Sequence, residues 1–498
     1  MSERSPRLVV TLPGRSVGDL RGEIELARGA GADAAEVRLD RLAEGESDRL
    51  AELFPSPLPL LATLRSTAEG GEGPDDAGPR AARLMAAATL PFDWIDVEVD
   101  RDREIEGHLS PPRGLIASTH LPGGADPEEL ARRVREPPPA GGVRKIVLPA
   151  SVGGLFARVL PSLPPAGELP LVVLTTGASA PLLRAWSRRL GWPIVFASLP
   201  QGPPGARGAG PVEPGQIPVD RLRWFLDAEG EAPLLGIAGH PVAHSASPYL
   251  HGRWMHAARR RGLYVPLDFA SDEEFVDSLR PLAERGFRGL NVTHPYKATA
   301  FAAASRVGRG AEACGVANCL TFRGEEVEAE NTDLVAILRR LDELRVQSRW
   351  DGRTMTVLGA GGAARASLAA ARELGVTARL WARQAESGRD LAKSFGAEFG
   401  PPPVRETPDL VVQATEAGRA GAGPLAFPLS QLVARGAHVL DWVYRPDDPS
   451  VRTEAERLGA TYEDGWRLLV YQAAASFAVW WGAEPSADEV EQAIGAGS

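Results

Sequence analysis

Lysine is scarce in this sequence of 498 residues. Of the 55 basic residues, only Lys145, Lys297 and Lys393 are lysines, and the rest are arginines. Arginine stays protonated in proteins, whereas a lysine can lose its proton when it is buried or has a suitable neighbour. A chain that uses arginine for its surface cations therefore makes each lysine a candidate for chemistry that needs a free amine.

Three further shortages exclude classes of protein. The two cysteines, Cys314 and Cys319, have a spacing that fits neither a disulfide framework nor a zinc knuckle. The net charge of −10 and the scattered basic residues argue against binding to nucleic acid. The longest apolar run, "LLVYQAAASFAVWW", has 14 residues and is too short to span a bilayer. Because the start "MSERSPRLVV" is also unlike a signal peptide, we expect a cytoplasmic enzyme without a structural metal.

Residues 7 to 200 alternate short β-rich runs with amphipathic helical segments. The eight runs are "RLVVTL", "AAEVRLD", "PLLATLRS", "WIDVEVD", "GLIASTH", "VRKIVLP", "PLVVLTT" and "PIVFAS". Eight strands with intervening helices in about 220 residues predict a (β/α)8 TIM barrel, whose chemistry lies at the carboxyl ends of the strands. Glu36, Arg38, Arg65 and His120 lie at such ends.

The chain after the eighth run divides into further units. A Gly/Pro-rich loop, "PQGPPGARGAGPVEPGQIP", follows the last strand, and we expect it to form a mobile lid over the catalytic face. A second α/β pattern begins after "AEGEAP", and a third unit opens with the strand-turn-helix "TMTVLGAGGAARASLAAAREL". The predicted domains are residues 1–228, residues 233–345 completed by 465–498, and residues 346–464.

Lys145 lies in the middle of an apolar predicted strand. Its neighbours Val143 and Val147 face the same side, which in a small barrel is the lumen. Removal from water favours the neutral amine, the form that can attack a carbonyl group. The alternative is a lysine that extends to the barrel rim or pairs with an acid.

The candidate partners of Lys145 come from neighbouring strands. His120 ends the preceding strand, and adjacent strands lie about 5 Å apart. Glu69 could orient His120, which suggests proton abstraction next to a carbonyl carbon held as an iminium. Arg65 and Arg184 could bind a carboxylate through paired hydrogen bonds. Taken singly, a histidine at a strand end is more often a structural residue, and each arginine would be interpreted as a surface residue.

The motifs "EVRLD", "LRSTAEGGE", "STH", "RKIVLP" and "PGQI" resemble those of the type I 3-dehydroquinate dehydratases over roughly residues 7 to 227. The resemblance implies a Schiff base between Lys145 and the C3 ketone of the substrate. It implies that His120 removes a C2 proton and assists loss of the C1 hydroxyl, while Glu69 holds His120. The implied substrate contacts are Glu36, Arg38, Arg65, Arg184 and Gln216. Val212 replaces a small polar residue that is usual in the family, so one lid contact differs.

Polar side chains that could bind a polyhydroxylated ring occur in four motifs of the second half, "HSASP", "GLNVTHPYKATA", "GVANCLTF" and "ENTDLVAI". The residues are Ser245, Ser247, Asn291, Thr293, Lys297, Asn318, Asn331 and Asp333. The serines before a proline are also typical of an ordinary helix start.

The segment "VLGAGGAARA" has the glycine pattern of a dinucleotide-binding turn between a strand and a helix. Gly359, Gly361 and Gly362 would let the backbone approach a pyrophosphate at the helix N-terminus. About twenty residues further on, where an acid would bind the ribose of NAD, the chain has Arg383. An arginine there favours the 2′-phosphate of NADP.

The ordered motifs of the second half resemble shikimate dehydrogenase over roughly residues 233 to 492. The resemblance implies that Lys297 and Asp333 act at the C3 oxygen of the substrate. The implied substrate-binding residues are Ser245, Ser247, Thr293, Asn318, Asp333, Tyr444 and Gln472. The implied NADP-binding residues are Gly359, Ala360, Gly361, Gly362, Ala363, Arg383 and Gly465.

Several positions depart from the shikimate dehydrogenase pattern, and they cluster on the cofactor side. Cys319 replaces a threonine, Leu334 a glycine and Ala382 an asparagine. Gln413 replaces an asparagine, and Arg419 replaces a methionine expected near the nicotinamide. These changes bear on the cofactor preference more than on the type of reaction.

The sequence therefore predicts an α/β chain in which a TIM barrel precedes a two-domain shikimate dehydrogenase with a Rossmann NADP-binding domain. The predicted function is dehydration of 3-dehydroquinate followed by NADPH-dependent reduction of the product to shikimate. The expected partners are these small molecules, without nucleic acid or membrane. The alternatives are a regulatory protein that senses a metabolite on the same folds, and a chain with only one active half.

Overall fold

The computed structural model describes residues 5–110, 113–124, 126–138, 141–201, 215–228, 232–242, 245–347, 350, 352–401, 410–419, 421–433 and 435–496. The chain forms two compact units. The first comprises Met1–Leu234, Pro241–His244 and Arg261–Pro281, and the second comprises Leu235–His240, Ser245–Arg260 and Leu282–Ser498. The predicted lid falls mostly on residues 202–214, which lie outside the described residues, as does Val212.

The strands of the described residues follow in chain order. They are β1 (Arg7–Thr11), β2 (Ala34–Arg38), β3 (Leu60–Thr63), β4 (Trp94–Glu98), β5 (Leu115–His120), β6 (Val143–Pro149), β7 (Leu171–Thr176), β8 (Ile194–Ala197), β9 (Leu234–Gly239), β10 (Leu263–Asp268), β11 (Phe287–Val292), β12 (Arg306–Val307), β13 (Cys319–Arg323), β14 (Glu326–Glu330), β15 (Thr354–Leu358), β16 (Thr377–Trp381), β17 (Glu398–Phe399), β18 (Leu410–Gln413), β19 (His438–Asp441) and β20 (Thr461–Glu463).

The α-helices are also given in chain order. They are α1 (Val17–Gly29), α2 (Ala77–Ala88), α3 (Arg103–Glu106), α4 (Pro127–Arg135), α5 (Val152–Gly154), α6 (Leu160–Ser162), α7 (Ala180–Ala185), α8 (Val219–Leu226), α9 (Ser247–Ala257), α10 (Asp272–Glu284), α11 (Lys297–Ala303), α12 (Arg309–Cys314), α13 (Thr332–Val346), α14 (Gly362–Leu374), α15 (Ala385–Phe395), α16 (Ser450–Arg457), α17 (Trp466–Trp481) and α18 (Ala487–Gly495).

The first unit contains the predicted barrel. Its eight strands pair in parallel in the order β7-β6-β5-β4-β3-β2-β1-β8, so β7 and β8 stand at the two ends of a nearly closed ring. The eight predicted runs coincide with β1 to β8. Strands β2, β3 and β4 are buried along their whole length, which is typical of parallel strands covered by helices.

The barrel helices form where capping and amphipathic spacing agree. The Ser16 hydroxyl accepts a hydrogen bond from the Asp19 backbone N–H at 3.1 Å and begins α1. Val17, Leu20, Ile24 and Ala27 then recur at helical spacing and are buried. The paired strands place the residues of neighbouring strands side by side, as Ser118 of β5 lies beside Lys145 of β6.

The second unit contains two sheets. In one of them, five strands follow the order β9-β11-β13-β14-β12, with antiparallel pairing of β11 with β13 and of β13 with β14. The other is parallel and has the order β17-β16-β15-β18-β19-β20. This is the doubly wound order, in which the chain reverses direction across the sheet between β15 and β18.

Helices α13 and α17 pack against each other between these sheets. The apolar run noted above forms α17, most of whose residues are buried. No helix in the described part of the chain is long and apolar enough to cross a membrane. The two sheets fall within the predicted spans 233–345 and 346–464, but the division into three domains stays a prediction.

Candidate active sites

The barrel encloses a cavity of about 300 Å³ near the carboxyl ends of its strands. All eight residues predicted for this site line the cavity: Glu36, Arg38, Arg65, Glu69, His120, Lys145, Arg184 and Gln216. They come together because parallel strands place their carboxyl ends at the same rim.

Lys145 is buried inside the barrel and has two carboxylates near its amine. Its Nζ lies 3.0 Å from Asp96 Oδ2 and 4.0 Å from Glu36 Oε1. Nζ also lies 4.2 Å from the ring centroid of Phe196, a favourable position for a cation. The lysine thus faces the lumen, as the alternation along its strand predicts, and it also pairs with an acid, as the alternative reading proposed.

His120 and Glu69 form the second part of the site. The distance from His120 Nδ1 to Glu69 Oε2 is 2.5 Å. Burial, together with the charges of Arg65 and Lys145, holds the pKa of His120 well below its usual value. Burial raises the pKa of Glu69 to about 7. A hydrogen bond therefore joins an imidazole that resists protonation to a carboxyl that resists ionisation.

Arg65 has more partners inside the protein than the sequence suggests. Its Nη1 lies 2.8 Å from Glu69 Oε2, 3.1 Å from Glu98 Oε1 and 3.0 Å from His120 Nδ1, and its Nη2 lies 3.3 Å from Asp96 Oδ1. This guanidinium lines the cavity, but its hydrogen bonds serve mainly to hold other charged groups in place. Its predicted role as a substrate clamp stays a prediction.

The remaining barrel residues form an ordered polar wall. Glu36 accepts hydrogen bonds from the hydroxyls of Thr11 at 2.6 Å and Thr63 at 2.8 Å. Gln216 donates to Thr11 Oγ1 at 2.9 Å, and its buried Oε1 has no hydrogen-bond partner among the described residues. An orphaned acceptor at the cavity wall fits a ligand with hydroxyl groups.

The sequence interpretation missed two acids of β4. Asp96 and Glu98 alternate along this strand and are both buried, and Glu98 accepts from the Ser66 backbone N–H at 2.9 Å. Behind them, Arg80 forms a buried ion pair with Asp102 at 2.8 Å. The available signal was the pattern "WIDVEVD", because two acids on one face of a buried strand require cationic partners.

The second unit brings Lys297 and Asp333 together. Lys297 begins α11 and Asp333 lies in the first turn of α13, and Nζ is 2.5 Å from Asp333 Oδ2. Asn318 Nδ2 donates to the other carboxylate oxygen of Asp333 at 2.8 Å. The predicted pair therefore exists, with a third group that fixes the carboxylate.

A buried hydrogen-bond cluster supports this pair. Asn318 Oδ1 accepts from the Thr332 backbone N–H at 2.6 Å, and Thr332 Oγ1 lies 2.9 Å from Ser476 Oγ. Asn291 Nδ2 donates to the same Ser476 oxygen at 2.8 Å. Thr332 and Ser476 were not predicted as site residues, although residues 465–498, which contain α17, were assigned to the same predicted domain as residues 233–345.

The second unit also contains four other residues predicted to bind substrate. Ser245 Oγ accepts from the Ser247 backbone N–H at 3.2 Å. Ser247 is the first residue of α9, and its buried hydroxyl has no partner among the described residues. The Tyr444 hydroxyl accepts from the Ala246 N–H at 3.5 Å, which places it beside both serines. Gln472 Nε2 donates to Leu469 O of its own helix at 3.1 Å.

Thr293 follows β11, and its backbone N–H donates to Ala238 O at 2.8 Å. No hydrogen bond within the described residues joins the Thr293 or Gln472 side chain to Lys297 or Asp333. The place of these two residues in one site therefore stays a prediction.

The glycine turn lies between β15 and α14, as predicted. Gly359 has φ of +105°, and a Cβ there would lie 2.7 Å from Ala414 O, so glycine is required for the turn. A Cβ at Gly362 would lie 2.6 Å from Lys297 Cδ, so this glycine makes room for the lysine. A Cβ at Gly361 would meet nothing within 4 Å, which leaves open space beside the N-terminus of α14.

The remaining predicted cofactor residues surround this turn. Ala360 is exposed in it, and Ala363 is half-buried. Gly359 N–H donates to Trp381 O at 2.9 Å, and Arg383 follows two residues later as an exposed side chain. A Cβ at Gly465 would lie 2.3 Å from Trp442 O, so packing alone explains this glycine.

Residues that depart from the family pattern have local structural roles. Cys319, Leu334 and Ala382 are buried. Gln413 Nε2 donates to Asp441 Oδ1 at 3.2 Å and so ties the end of β18 to the end of β19. Burial raises the pKa of Asp441 to about 7.

These units define a fused enzyme with two sites, one built around an amine in a barrel and one beside a doubly wound nucleotide-binding sheet. The family model for type I 3-dehydroquinase matches residues 8–233, and the model for the shikimate dehydrogenase substrate binding domain matches residues 237–320. The chain belongs to the shikimate dehydrogenase family in its second half and carries a type I 3-dehydroquinase domain in its first half.

Individual relatives and solved structures are also similar to this chain. The shikimate dehydrogenase (NADP(+)) of Acidiphilium cryptum strain JF-5 is 38% identical over 264 residues, which are 52% of this chain and 94% of that protein. The solved shikimate 5-dehydrogenase from Thermus thermophilus in complex with NADP(H) and shikimate is 29% identical and covers 53% of this chain and 100% of its own, with a TM-score of 0.48. The dehydroquinate dehydratase and shikimate dehydrogenase from S. pombe AroM is 23% identical and covers 99% of this chain and 98% of its own, with a TM-score of 0.44.

Proposed function

We propose that this chain catalyses two consecutive reactions of the shikimate pathway. The barrel dehydrates 3-dehydroquinate to 3-dehydroshikimate, and the second unit reduces that product to shikimate with NADPH. The observation that carries the proposal is the position of the lysines: Lys145 and Lys297 each lie beside a carboxylate in a different unit, while Lys393 is exposed on α15.

The first reaction begins at Lys145. Its neutral amine attacks the C3 ketone of 3-dehydroquinate, and the resulting carbinolamine loses water to give an iminium ion. The cationic nitrogen withdraws electrons from the adjacent carbon and makes the C2 proton more acidic. The position of Lys145 in the cavity wall supports this role, because the amine borders the space in which the ketone would lie.

His120 performs both proton transfers. It removes the C2 proton and later gives it to the C1 hydroxyl, which leaves as water, after which hydrolysis of the iminium restores Lys145. The lowered pKa of His120 supports the first step, because a base must be unprotonated. Glu69 is proposed to accept a hydrogen bond from Nδ1–H, so that the free lone pair of the imidazole is on Nε2.

The cavity wall supplies the substrate contacts. Arg184 is buried there, with Nη1 donating to Ala180 O at 2.6 Å, and it is proposed to bind the substrate carboxylate. Glu36, Arg38, Arg65 and Gln216 are proposed to bind the hydroxyl groups. The orphaned Oε1 of Gln216 supports this assignment.

In the second unit, Lys297 is proposed to donate a proton to the C3 oxygen of 3-dehydroshikimate during its reduction. Asp333 holds the lysine amine, and Asn318 fixes the carboxylate. The proposed substrate contacts are Ser245, Ser247, Thr293, Asn318, Asp333, Tyr444 and Gln472. The unpartnered Ser247 hydroxyl supports a polar ligand here.

The residues at the glycine turn fit a bound NADP, which supplies the hydride when present. Gly361 leaves space for the pyrophosphate at the N-terminus of α14. Arg383 is exposed beside the turn and is proposed to bind the 2′-phosphate. Gly359, Ala360, Gly362, Ala363 and Gly465 are proposed to shape the same site. The names of the curated relatives, which include NADP(+), support this choice of cofactor.

A trapping experiment tests the Schiff base. Borohydride added with 3-dehydroquinate should fix a covalent adduct on Lys145, visible as a mass increase of the intact chain and of the peptide that contains this residue. The Lys145→Ala variant should form no adduct and lose dehydration. Lys393→Ala is the matched control, because it removes an exposed lysine, and it should form the adduct like the wild type. Dehydration by Lys145→Ala at the wild-type rate would refute the proposal.

The cofactor assignment has its own test. Arg383→Asp should raise the KM for NADPH by at least about tenfold and leave the KM for NADH unchanged or lower, because the exchange replaces a cation that binds phosphate by an anion that repels it. Lys393→Asp, on the neighbouring α15, is the control for a change of surface charge. An unchanged ratio of NADPH to NADH use in Arg383→Asp would contradict the assignment.

The proposed location is the cytoplasm. Both cysteines, Cys314 and Cys319, are buried free thiols, which agrees with a reducing compartment.

A further inference from the structure

Asp96 lies directly beneath the amine of Lys145 and is not among the residues that line the cavity. We infer that Asp96 is the counter-ion of the iminium nitrogen, the residue that holds Nζ in place and balances its charge in each cationic species between attack on the ketone and release of the product. The inference rests on the proposed Schiff-base function of Lys145 and adds a residue that acts through the lysine.

The contacts of Asp96 fix the direction of its carboxylate. Oδ2 lies 3.0 Å from Lys145 Nζ, while Oδ1 accepts from the Ser118 hydroxyl at 2.5 Å. Arg65 Nη2 lies 3.3 Å from Oδ1. Ser118 is the residue opposite Lys145 in the pairing of β5 with β6, so the hydroxyl and the amine approach the carboxylate from adjacent strands. Nζ is thus the nearest donor to Oδ2, which Arg65 Nη2 also approaches at 3.4 Å, and Oδ1 is held by two donors.

The charge state of Asp96 suits a counter-ion. Although burial opposes ionisation, the charges of Lys145 and Arg65 lower the pKa of Asp96 below its usual value. The carboxylate therefore stays ionised through the reaction and does not take the proton of Lys145. A counter-ion must keep its charge, and this group is held in that state by its surroundings.

The covalent steps require such a partner. Neutral amine and ketone give an uncharged carbinolamine, and loss of hydroxide from it, protonated to water, leaves one positive charge on nitrogen. Removal of the C2 proton by His120 turns the iminium into an uncharged enamine, and loss of the C1 hydroxyl as water, with the proton returned by His120, restores the cationic iminium. Addition of water to that iminium then returns the amine. A buried cation without a partner is costly, so a carboxylate at 3.0 Å stabilises every cationic species in this sequence.

Neighbouring charges do not replace Asp96. Glu36 lies 4.0 Å from Nζ, and both of its oxygens already accept hydrogen bonds from Thr11 and Thr63. Arg38, Arg65 and the pair of His120 with Glu69 are the other charged or titratable groups around the lysine, and the two arginines are cations. Removal of the Asp96 charge would therefore leave the Glu36 carboxylate, 4.0 Å away and already bonded to two hydroxyls, as the nearest anion to Nζ among the described residues.

The test compares three variants by the kcat and KM of dehydration and by the fraction of the chain that borohydride traps at saturating 3-dehydroquinate. Asp96→Asn should lower kcat on the order of 100-fold, which is the scale expected when one partner of a buried pair is removed. The KM should stay within severalfold of the wild-type value, because Asp96 does not line the cavity, and the trapped fraction should fall, because the cationic iminium has lost its counter-ion. Glu98→Gln is the matched control, because Glu98 lies on the same buried face of β4 and contacts Arg65 at 3.1 Å. Its trapped fraction should stay at the wild-type value.

Ser118→Ala keeps the charge and removes one hydrogen bond, so it should lower kcat severalfold with an unchanged trapped fraction. This variant decides the matter if Asp96→Asn does not fold, and a wild-type kcat in Ser118→Ala would then overturn the inference. An Asp96→Asn protein with a wild-type kcat and trapped fraction would also overturn it. Absence of any trapped adduct in the wild type would instead refute the proposed Schiff base, so the two failures are distinguishable.

Discussion

The barrel site depends on the hydrogen bond that joins His120 Nδ1 to Glu69 Oε2 at 2.5 Å. Only the ionised form of Glu69 can accept the Nδ1 proton and leave Nε2 of His120 as a base. Because burial raises the pKa of Glu69 to about 7, this carboxyl changes its charge in the physiological range. The same burial lowers the pKa of His120, so the imidazole stays unprotonated there.

The pH profile of dehydration should therefore show the titration of Glu69. We expect kcat to rise with pH through about 7 in the wild type, as this carboxyl loses its proton. Glu69→Gln should lack that rise and have a kcat about 10- to 100-fold lower, because the amide cannot take the place of the carboxylate. Glu72→Gln, a change at a partly exposed acid of the same loop, is the control. If kcat of Glu69→Gln rose at the same pH, another group would control the pH dependence of dehydration.

Asp441 gives a prediction about stability. Its pKa is about 7 in the folded chain, against 3.8 for the ordinary group, so the folded state holds the proton more firmly than the unfolded state. Its stabilising contribution is complete below about pH 4 and is lost as the pH rises towards 7. In Asp441→Asn, the amide oxygen can accept from the Val443 N–H and the amide nitrogen can donate to the Tyr462 hydroxyl.

At pH 8, Asp441→Asn should therefore unfold at a higher denaturant concentration than the wild type. Near pH 4 the difference should vanish, because the wild-type carboxyl is then protonated. Asp448→Asn, at an exposed position, should follow the wild type throughout. Denaturant unfolding of the three proteins at both pH values makes the comparison, and equal curves for wild type and Asp441→Asn at pH 8 would contradict the assignment.

At the level of helices and strands, the residues proposed to act in the two reactions lie at helix starts and strand ends. Lys297 begins α11, Asp333 lies in the first turn of α13, and the glycine turn begins α14. These positions are fixed by local signals, since a glycine turn or a capping residue specifies where a helix begins. The Asn331 side chain, for example, accepts from the Leu334 N–H at 3.1 Å and sets the start of α13.

The sequence predicts such elements well, and it predicts long-range pairing poorly. The eight barrel strands, α17 and the glycine turn follow from periodicity and turn residues alone. The pairing of Asp96 with Lys145 joins residues 49 positions apart, and that of Thr332 with Ser476 joins residues 144 apart. No local pattern specifies such contacts, because they depend on how the finished sheets and helices pack.

Two glycines of the second unit should respond differently to alanine. Gly361→Ala meets open space and should fold normally, but its methyl group should raise the KM for NADPH by at least about tenfold if the pyrophosphate lies there. Gly465→Ala would place Cβ 2.3 Å from Trp442 O and should destabilise the start of α17 by about 1–3 kcal/mol. Thermal unfolding and NADPH titration separate the two effects, and a wild-type KM in Gly361→Ala would move the cofactor away from this turn.

At the level of the whole molecule, each proposed site lies within one compact unit. Lys145, His120 and Glu69 belong to the first unit, and Lys297 and Asp333 belong to the second. The two reactions are consecutive, so the product of the first is the substrate of the second. Because both sites lie on one chain, the two sites are always present in a ratio of one to one.

Single substitutions should therefore remove one activity and preserve the other. Lys145→Ala should abolish dehydration of 3-dehydroquinate and leave reduction of 3-dehydroshikimate at the wild-type rate. Lys297→Ala should lower kcat for reduction by about 100-fold or more, through loss of the proton donor, and leave dehydration unchanged. Separate assays with each substrate make the test. If either change removed both activities, the sites would not be separate.

The central claim is that one chain carries out both steps, and one assay tests it directly. The purified wild-type chain is mixed with 3-dehydroquinate and NADPH, and NADPH absorbance is followed together with the formation of shikimate. We expect NADPH to be consumed in proportion to the 3-dehydroquinate added, and we expect Lys145→Ala to consume it only when 3-dehydroshikimate is supplied instead. Wild-type chain that leaves NADPH unchanged in the presence of 3-dehydroquinate would contradict the account.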